Sequence, residues 1–199
     1  MKPSQIVSLG EGATLSLYED VIAPSPQQIK DLRDLLSEED RKTFQLYGKP
    51  CTMRRKQKMF GTKSYKFSGI EFPPHEGNLP TLIALCMSKA KELRPGINPD
   101  AALAILYEVN DYISAHRDNE HKHRRGAPII GFSFGETRSL TVKRHKRKRG
   151  EEGYMKVNLE LPPGSAYVME GERFQSDFTH EVGKGKKGER LSVTVREFV

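Results

Sequence analysis

The sequence predicts one domain of α+β class, mainly β, in which two helices precede a series of short strands. Apolar residues recur at helical spacing in two segments before residue 95. Beyond residue 100, short apolar or alternating segments are separated by Gly, Pro and charged turns. A chain of 199 residues can bury one full core, and many short strands predict a sandwich or barrel.

The first helix is predicted to begin after Ser25, because Ser25, Pro26 and Gln28 fit a cap, a first-turn proline and a capping-box partner. Its apolar face would hold Ile29, Leu32, Leu35 and Leu36. A second helix is predicted over residues 80–92, with Leu82, Leu85, Cys86 and Leu93 inward, before Pro95 and Gly96 end it. The predicted strands follow at residues 102–107, 129–134, 139–143, 154–161, 165–170 and 191–198.

Composition predicts a soluble intracellular protein with an anionic partner. The two cysteines form no disulfide framework or metal-binding spacing, which favours a reducing compartment, and no apolar stretch is long enough for a membrane span. A net charge of +7 and a pI near 9.4 favour nucleic acid or an anionic membrane surface. We expect nuclear localisation if the source is eukaryotic and cytoplasmic localisation otherwise.

The positive charge is clustered at residues 54–56, 143–149 and 184–187, and the longest cluster holds six Lys or Arg in seven positions. Such clusters are often solvated loops, but three of them favour phosphate contacts. The candidate contacts to a nucleic-acid backbone are Lys143, Arg144, Lys146, Arg147, Lys184, Lys186 and Lys187.

His116, Asp118 and His180 form a candidate metal site. His116 and Asp118 stand two residues apart, so on an extended strand or strand end both side chains project to one face. With a distant histidine they complete a 2-His-1-carboxylate set, which holds non-haem Fe(II) and leaves other positions open. A His-x-Asp pair alone is weak evidence, because it occurs by chance in many chains.

The C-terminal segment 190–196 supplies context for that site. Its polar and apolar residues alternate, so Arg190, Ser192, Thr194 and Arg196 share one strand face. The simple alternative is a strand whose polar side meets solvent. Two arginines beside a candidate metal site instead suit a buried dicarboxylate, because each guanidinium can form two charge-assisted hydrogen bonds with a carboxylate.

Together with these features, several motifs occur in an order and spacing that resemble the AlkB family of Fe(II) and 2-oxoglutarate dependent dioxygenases. The resemblance runs from about Leu15 to the C-terminus and is strongest to the nuclear branch that repairs duplex DNA. The motifs lie at residues 45–49, 55–57, 65–69, 107, 116–120, 128–135, 138, 161–169, 180 and 190–196. The chain departs from the family pattern at Ile105 and Ser192, where the family usually has Asn.

The resemblance implies a double-stranded β-helix, or jelly roll, with the N-terminal helices packed on one sheet. Residues 1–199 would form a single dioxygenase domain, with residues 15–100 as a helical and nucleotide-recognition part and residues 101–199 as the jelly-roll core. It also implies Fe(II), 2-oxoglutarate and O2 as cofactor and cosubstrates, and stimulation by ascorbate in vitro. Tyr107 and Arg190 would bind the distal carboxylate of 2-oxoglutarate, Arg196 would support its proximal carboxylate and Asp118, and Ser192 would complete the cosubstrate site.

For the substrate, the resemblance implies that Leu46, Tyr47 and Gly48 form a finger whose tyrosine fills the space left by a flipped base. Phe67 would stack on that base opposite His116, Glu120 would lie near its exocyclic amine, and Tyr65 and Arg55 would border it. Simpler alternatives are a surface aromatic for Tyr47, a core residue for Phe67 and a loop acid for Glu120.

The expected function is oxidative demethylation of 1-methyladenine and 3-methylcytosine in DNA, with a duplex favoured and formaldehyde released, by a monomeric enzyme that does not bind membranes. One alternative is a demethylase of RNA or single-stranded nucleic acid. Another is a catalytically silent nucleic-acid-binding jelly roll, for which Ile105 and Ser192 are the supporting residues.

Overall fold

Two antiparallel β-sheets frame the structure, a computed structural model that describes residues 1–10, 12–118, 124, 126–145 and 155–198. The elements are β1 (Gln5–Gly10), β2 (Ala13–Tyr18), α1 (Pro26–Ser37), β3 (Thr43–Leu46), β4 (Lys49–Thr52), β5 (Lys56–Gly61), β6 (Tyr65–Phe67), β7 (Ile70–Phe72), α2 (Thr81–Leu93), β8 (Ala101–Tyr107), β9 (Ile113–His116), β10 (Ile129–Gly135), β11 (Arg138–Arg144), β12 (Lys156–Leu161), β13 (Ala166–Glu170), α3 (Phe174–Asp177), β14 (Phe178–Val182) and β15 (Arg190–Arg196).

The larger, major sheet has seven strands in the order β1-β2-β13-β10-β15-β8-β5, and the smaller, minor sheet has the order β12-β11-β14-β9. Sequence neighbours are mostly not sheet neighbours, so the chain crosses repeatedly between the two sheets. One apolar cluster fills the space between the sheets, with Leu103, Leu140 and Met169 among its members. This mainly β arrangement is the predicted jelly roll.

The two predicted helices cover the outer face of the major sheet. Ser25 caps α1: its side-chain oxygen accepts from the Gln28 amide at 3.2 Å, and its own amide donates to Gln28 Oε1 at 2.8 Å. Leu32 of α1 and Cys86 of α2 pack with the outward residues of β15, such as Val193, in a second apolar cluster. No helix in the described ranges is long and apolar enough to cross a membrane.

The expectation that strands begin only after residue 100 is wrong. Strands β1, β2 and β5 come from the first 61 residues and form both edges of the major sheet. In β5 the sequence Lys-Gln-Lys precedes Met59 and Phe60, and that polar start hides the strand pattern. Pairing with β8, whose residues are all buried, places Gln57 and Met59 in the interior.

Candidate active site

His116 and His180 are brought together by strand pairing. His116 is the last residue of β9, His180 is the middle residue of β14, and the two stand opposite each other in the antiparallel ladder. Their ring centroids are 4.2 Å apart. Asp118 follows β9 by two residues and turns into the same space, so the three predicted ligands form one cluster.

The ligand atoms of this cluster can meet one ion. One ligand atom from each residue lies within 4.8 Å of the other two. His116 Nε2 lies 3.6 Å from Asp118 Oδ1, and His180 Nε2 lies 3.7 Å from Asp118 Oδ2. His116 Nδ1 contacts the Ser114 carbonyl at 2.9 Å, so that nitrogen carries the hydrogen and Nε2 keeps its lone pair for a metal.

Asp118 is held by two residues that leave one carboxylate oxygen available. Arg196 Nη2 donates to Asp118 Oδ2 at 2.7 Å, and the Asp118 amide donates to Gln175 Oε1 at 2.9 Å. Asp118 Oδ1 is buried and has no hydrogen-bond partner in the described part of the chain. A buried carboxylate oxygen without a partner is costly, and a bound cation would satisfy it.

Burial and charge fix the protonation of the three residues. Burial opposes ionisation of Asp118, but nearby Arg196 and the two histidines outweigh it and hold the pKa of Asp118 below its usual value. Burial is also the largest effect on the histidines: it lowers the pKa of His116, and with the positive field of its neighbours it lowers the pKa of His180 to about 3. At neutral pH the site therefore offers one carboxylate and two neutral imidazoles, the forms that bind metals.

A pocket opens beside the metal cluster between the two sheets. Eight predicted site residues line it: Arg55, Tyr65, Tyr107, His116, Asp118, His180, Ser192 and Arg196. Ile105, Tyr167 and Thr194 line it as well. Alternation along β15 explains this, because Ser192, Thr194 and Arg196 face inward while Leu191, Val193 and Val195 face the helices.

Arg190 contacts Tyr107, one of the residues that line the pocket. It is 1% exposed, stands opposite Tyr107 in the sheet, and its guanidinium carbon lies 5.3 Å from the Tyr107 ring centroid. Its Nε donates to Ser133 Oγ at 2.9 Å, which orients the group. Nη1 and Nη2 are buried without a hydrogen-bond partner among the described residues. Two parallel donors left free in this way fit a carboxylate.

Arg138 adds a second guanidinium at the Tyr107 ring, 5.4 Å from its centroid. Its Nη1 and Nη2 donate to the carbonyls of Asp111 and Glu108 at 2.6 and 2.9 Å. Burial lowers the pKa of Arg138, although Glu136 opposes that effect. The sequence motif included Arg138 but gave it no role; the structure shows that it holds Tyr107 and the following loop.

The residues expected to border a base, Phe67, Tyr65 and Arg55, cluster beside His116. The Phe67 ring is 5.9 Å from His116 and nearly perpendicular to it, at 87°. Tyr65 stacks on Phe67 at 6.3 Å, and the Arg55 guanidinium lies 5.5 Å from the Phe67 centroid. Arg55 Nε donates to Gln57 Oε1 at 2.9 Å. Because the Phe67 and His116 rings are not parallel, a base could stack between them only after one ring rotates.

The β3–β4 hairpin presents the expected finger to solvent. Its two-residue loop, Tyr47 and Gly48, has positive φ at both positions, 50° and 76°, as a type I′ turn requires. Tyr47 is 97% exposed, and the preceding Leu46 is also exposed.

The predicted nucleic-acid backbone contacts have different surroundings. Lys184, Lys186 and Lys187 are exposed, whereas Lys143 pairs with Glu181 at 2.7 Å. Arg144 is only 8% exposed and packs on the Phe178 ring, so the structure places it in the interior instead of on the surface where phosphate could reach it. Glu120, Lys146 and Arg147 lie outside the described residues.

Two residues at the site were given no role by the sequence motifs. Gln175 reaches Asp118 from α3, a helix of four residues that periodicity cannot detect. Tyr167 enters the pocket from β13, and its position depends on the strand beside it.

Known proteins show relationships to this site and fold. A family model described as the 2OG-Fe(II) oxygenase superfamily matches residues 14–196. A solved structure described as "The structure of OsALKBH1" shares the fold with a TM-score of 0.58 and 17% identity, covering 97% of this chain and 100% of that chain. No curated protein sequence matches the chain. Members of the superfamily use Fe(II), 2-oxoglutarate and O2, and His116, Asp118 and His180 could hold the iron. By the match over residues 14–196, the chain belongs to the 2OG-Fe(II) oxygenase superfamily.

Proposed function

We propose that the protein is an AlkB-type oxidative demethylase that removes N-methyl groups from 1-methyladenine and 3-methylcytosine in DNA, with duplex DNA as the preferred substrate. Three features support the proposal: the motif order in the sequence, the pocket beside the metal cluster, and the exposed β3–β4 hairpin. The proposed partner is therefore DNA, bound by a monomer.

Tyr47 is the observation that carries the duplex preference. A methyl group on the pairing edge of a base cannot reach a buried metal until the base leaves the stack, which costs a few kcal/mol. An aromatic ring at the tip of a tight hairpin can enter the duplex and restore stacking. The type I′ turn leaves Tyr47 almost fully exposed, although burial of such a ring would be favourable.

The residues of the chain position the reactants. When bound, iron supplies O2 activation coupled to decarboxylation of 2-oxoglutarate to succinate and CO2. Arg190 and Tyr107 hold the distal carboxylate of the cosubstrate in the buried end of the pocket. Arg196 fixes Asp118, and Phe67 and Arg55 border the base at the mouth. The methyl group leaves as formaldehyde after hydroxylation, and these residues hold the reacting groups close together in a fixed orientation.

The deciding experiment is mass spectrometry of oligonucleotides carrying one 1-methyladenine, as a duplex and as a single strand, incubated with the protein, Fe(II), 2-oxoglutarate and ascorbate. We expect restored adenine and stoichiometric formaldehyde, with faster repair of the duplex. The Asp118→Ala variant is the inactive control.

Other outcomes identify the alternatives. Repair confined to single strands or to methylated RNA would replace the duplex proposal. DNA binding with neither repair nor succinate formation would identify a catalytically silent binding protein. Succinate formation without repair of any methylated base would place the substrate outside nucleic acids.

A further inference from the structure

Tyr167 lines the pocket beside the metal cluster, and no motif assigns it a role. It lies on β13 directly opposite Gly131 of β10, and Gly131 in turn lies opposite Thr194 of β15. These three residues form one row across the inner face of the major sheet. Tyr167 is buried and lines the same pocket as Tyr107 and Asp118.

Gly131 makes the position of the Tyr167 ring possible. A Cβ atom on residue 131 would lie 2.2 Å from Tyr167 Cζ and 2.4 Å from its hydroxyl oxygen. No side chain fits there, so the ring lies across the glycine and carries its hydroxyl over β10 toward β15. Thr194, in the same row, also lines the pocket, and its side chain lies close enough to the hydroxyl to lower the pKa of Tyr167.

The Tyr167 hydroxyl can donate a hydrogen bond in this position. A phenol oxygen can accept one hydrogen bond and donate another. When Thr194 donates to the Tyr167 oxygen, the phenol hydrogen remains available to the pocket. Burial raises the pKa of Tyr167 to about 12, although nearby Arg190 opposes the increase, so the hydroxyl keeps its hydrogen at neutral pH.

Two neighbouring residues of the pocket offer little to a carboxylate. Ile105 is apolar, and Ser192 has a short side chain; the two are opposite each other on β8 and β15. Arg190 supplies two donors without a hydrogen-bond partner among the described residues. Its Nε donates to Ser133, which lies two residues from Gly131 on the same face of β10, so a dicarboxylate anchored at Arg190 would have the Tyr167 ring beside it.

We infer that Tyr167 is a cosubstrate-binding residue whose hydroxyl donates a hydrogen bond to the distal carboxylate of 2-oxoglutarate, beside Arg190. The inference rests on the proposed binding of that carboxylate by Arg190. It does not depend on the identity of the methylated substrate. A tyrosine that only packs between the sheets would have no effect on cosubstrate affinity beyond its effect on stability.

The test is calorimetric measurement of 2-oxoglutarate binding to the Mn(II)-loaded protein without O2, which needs no turnover. Tyr167→Phe keeps the ring over Gly131 and removes only the hydroxyl. We expect its dissociation constant for 2-oxoglutarate to rise about tenfold, the loss of one charge-assisted hydrogen bond, while Mn(II) affinity is unchanged. Tyr18→Phe is the matched control, because Tyr18 is also buried and its hydroxyl accepts from Arg94 on the helix-covered side of the sheet.

A second ligand locates the contact. In 2-oxopentanoate a methyl group replaces the distal carboxylate, so Tyr167→Phe should leave its inhibition constant against 2-oxoglutarate turnover, corrected for each variant's KM, unchanged. Unchanged 2-oxoglutarate affinity in Tyr167→Phe, or equal losses for both ligands, would overturn the inference. Normal 2-oxoglutarate affinity in Arg190→Ala would instead show that the anchor was misplaced. Gly131→Ala retains the hydroxyl but displaces the ring, and we expect it to weaken 2-oxoglutarate binding as well.

Discussion

At the scale of single residues, two of the three candidate metal ligands, His116 and Asp118, are oriented by neighbours that are not ligands. Ser114 fixes the tautomer of His116, and Arg196 and Gln175 fix the carboxylate of Asp118. Such supporting contacts set the orientation and basicity of ligands. The site is thus arranged for a cation by the chain itself.

Alanine at His116, Asp118 or His180 should abolish 2-oxoglutarate turnover, because two remaining ligands cannot hold the ion on one face. Succinate formation with Fe(II) and a methylated oligonucleotide measures this loss. His75→Ala is the matched control, because His75 packs on Phe60 away from the cluster, and it should retain turnover. Near-normal turnover in His180→Ala would show that another residue is the third ligand.

Arg190→Ala should lower the affinity for 2-oxoglutarate by tens-fold or more. Removing one member of a buried charge pair costs on the order of 2 to 5 kcal/mol. Binding to the Mn(II)-loaded protein measures this loss. Arg33→Ala is the control: Arg33 pairs at the surface with Glu189, the residue before Arg190, and its loss should leave affinity unchanged.

The metal-free protein should lose stability on mild acidification. His180 has a pKa of about 3 in the folded protein, lowered first by burial, against an ordinary value of 6.5. Between these values only the unfolded chain binds the proton, so the unfolding free energy falls as pH drops below 6.5. From pH 7.5 to 5 this loss is about 2 kcal/mol for His180.

Urea unfolding with a chelator present measures this effect. His180→Gln removes the titrating group and should show a pH dependence smaller by about 2 kcal/mol. Identical pH dependence in the two proteins would mean that His180 is accessible to protons in the folded state.

Sequence predicted the residues whose spacing carries chemistry and missed those whose role arises from packing. His116, Asp118 and His180 were predicted as a set, and they form one cluster. The Tyr167 ring can extend across the sheet only because Gly131 lies opposite it, and these two residues are 36 positions apart in the chain. No local pattern reports such a contact.

At the scale of elements, local rules predicted the helices well. Capping chemistry located α1 because the Ser25 and Gln28 side chains replace missing backbone partners. Strand β2 was not predicted. Its pattern, Ala-Thr-Leu-Ser-Leu-Tyr, is short, and one of its two sheet partners, β13, is distant in the chain. Strands depend on distant partners, whereas helices carry their hydrogen bonds within themselves.

The β3–β4 hairpin leads to a prediction about substrate. Tyr47→Ala should reduce repair of methylated duplex DNA by about tenfold or more, because the cost of unstacking a base, a few kcal/mol, is no longer offset. Repair of the same lesion in a single strand should change little. Parallel assays at one salt concentration measure both rates, and Tyr47→Phe, which keeps the ring, should behave as the wild type.

Equal losses on duplex and single strand would reject the finger. Tyrosine and alanine both carry a Cβ, so the substitution adds no strain to the left-handed turn. An unchanged circular dichroism spectrum should confirm that the variant keeps the fold.

At the scale of the whole molecule, the net charge of +7 predicts salt-dependent binding to DNA. Alanine at Lys184, Lys186 and Lys187 together should weaken binding and reduce the salt slope by about 1 for each lysine that contacts phosphate. Fluorescence anisotropy with a labelled duplex at several salt concentrations measures both effects.

The control carries alanine at Lys30 and Lys91, exposed residues of helices α1 and α2 on the outer side of the major sheet. It should bind almost as the wild type does. An unchanged slope in the triple variant would move the DNA path away from these lysines.

The pairing of His116 with His180 has a consequence for strand β9. This four-residue strand is the edge of the minor sheet, and its register with β14 shifts after the histidine pair. An ion bound to both histidines would link β9 to β14 at the end of that ladder. Amide hydrogens of β9 should therefore exchange with deuterium quickly in the metal-free protein and slowly once Mn(II) binds, making the outermost strand a reporter of metal occupancy.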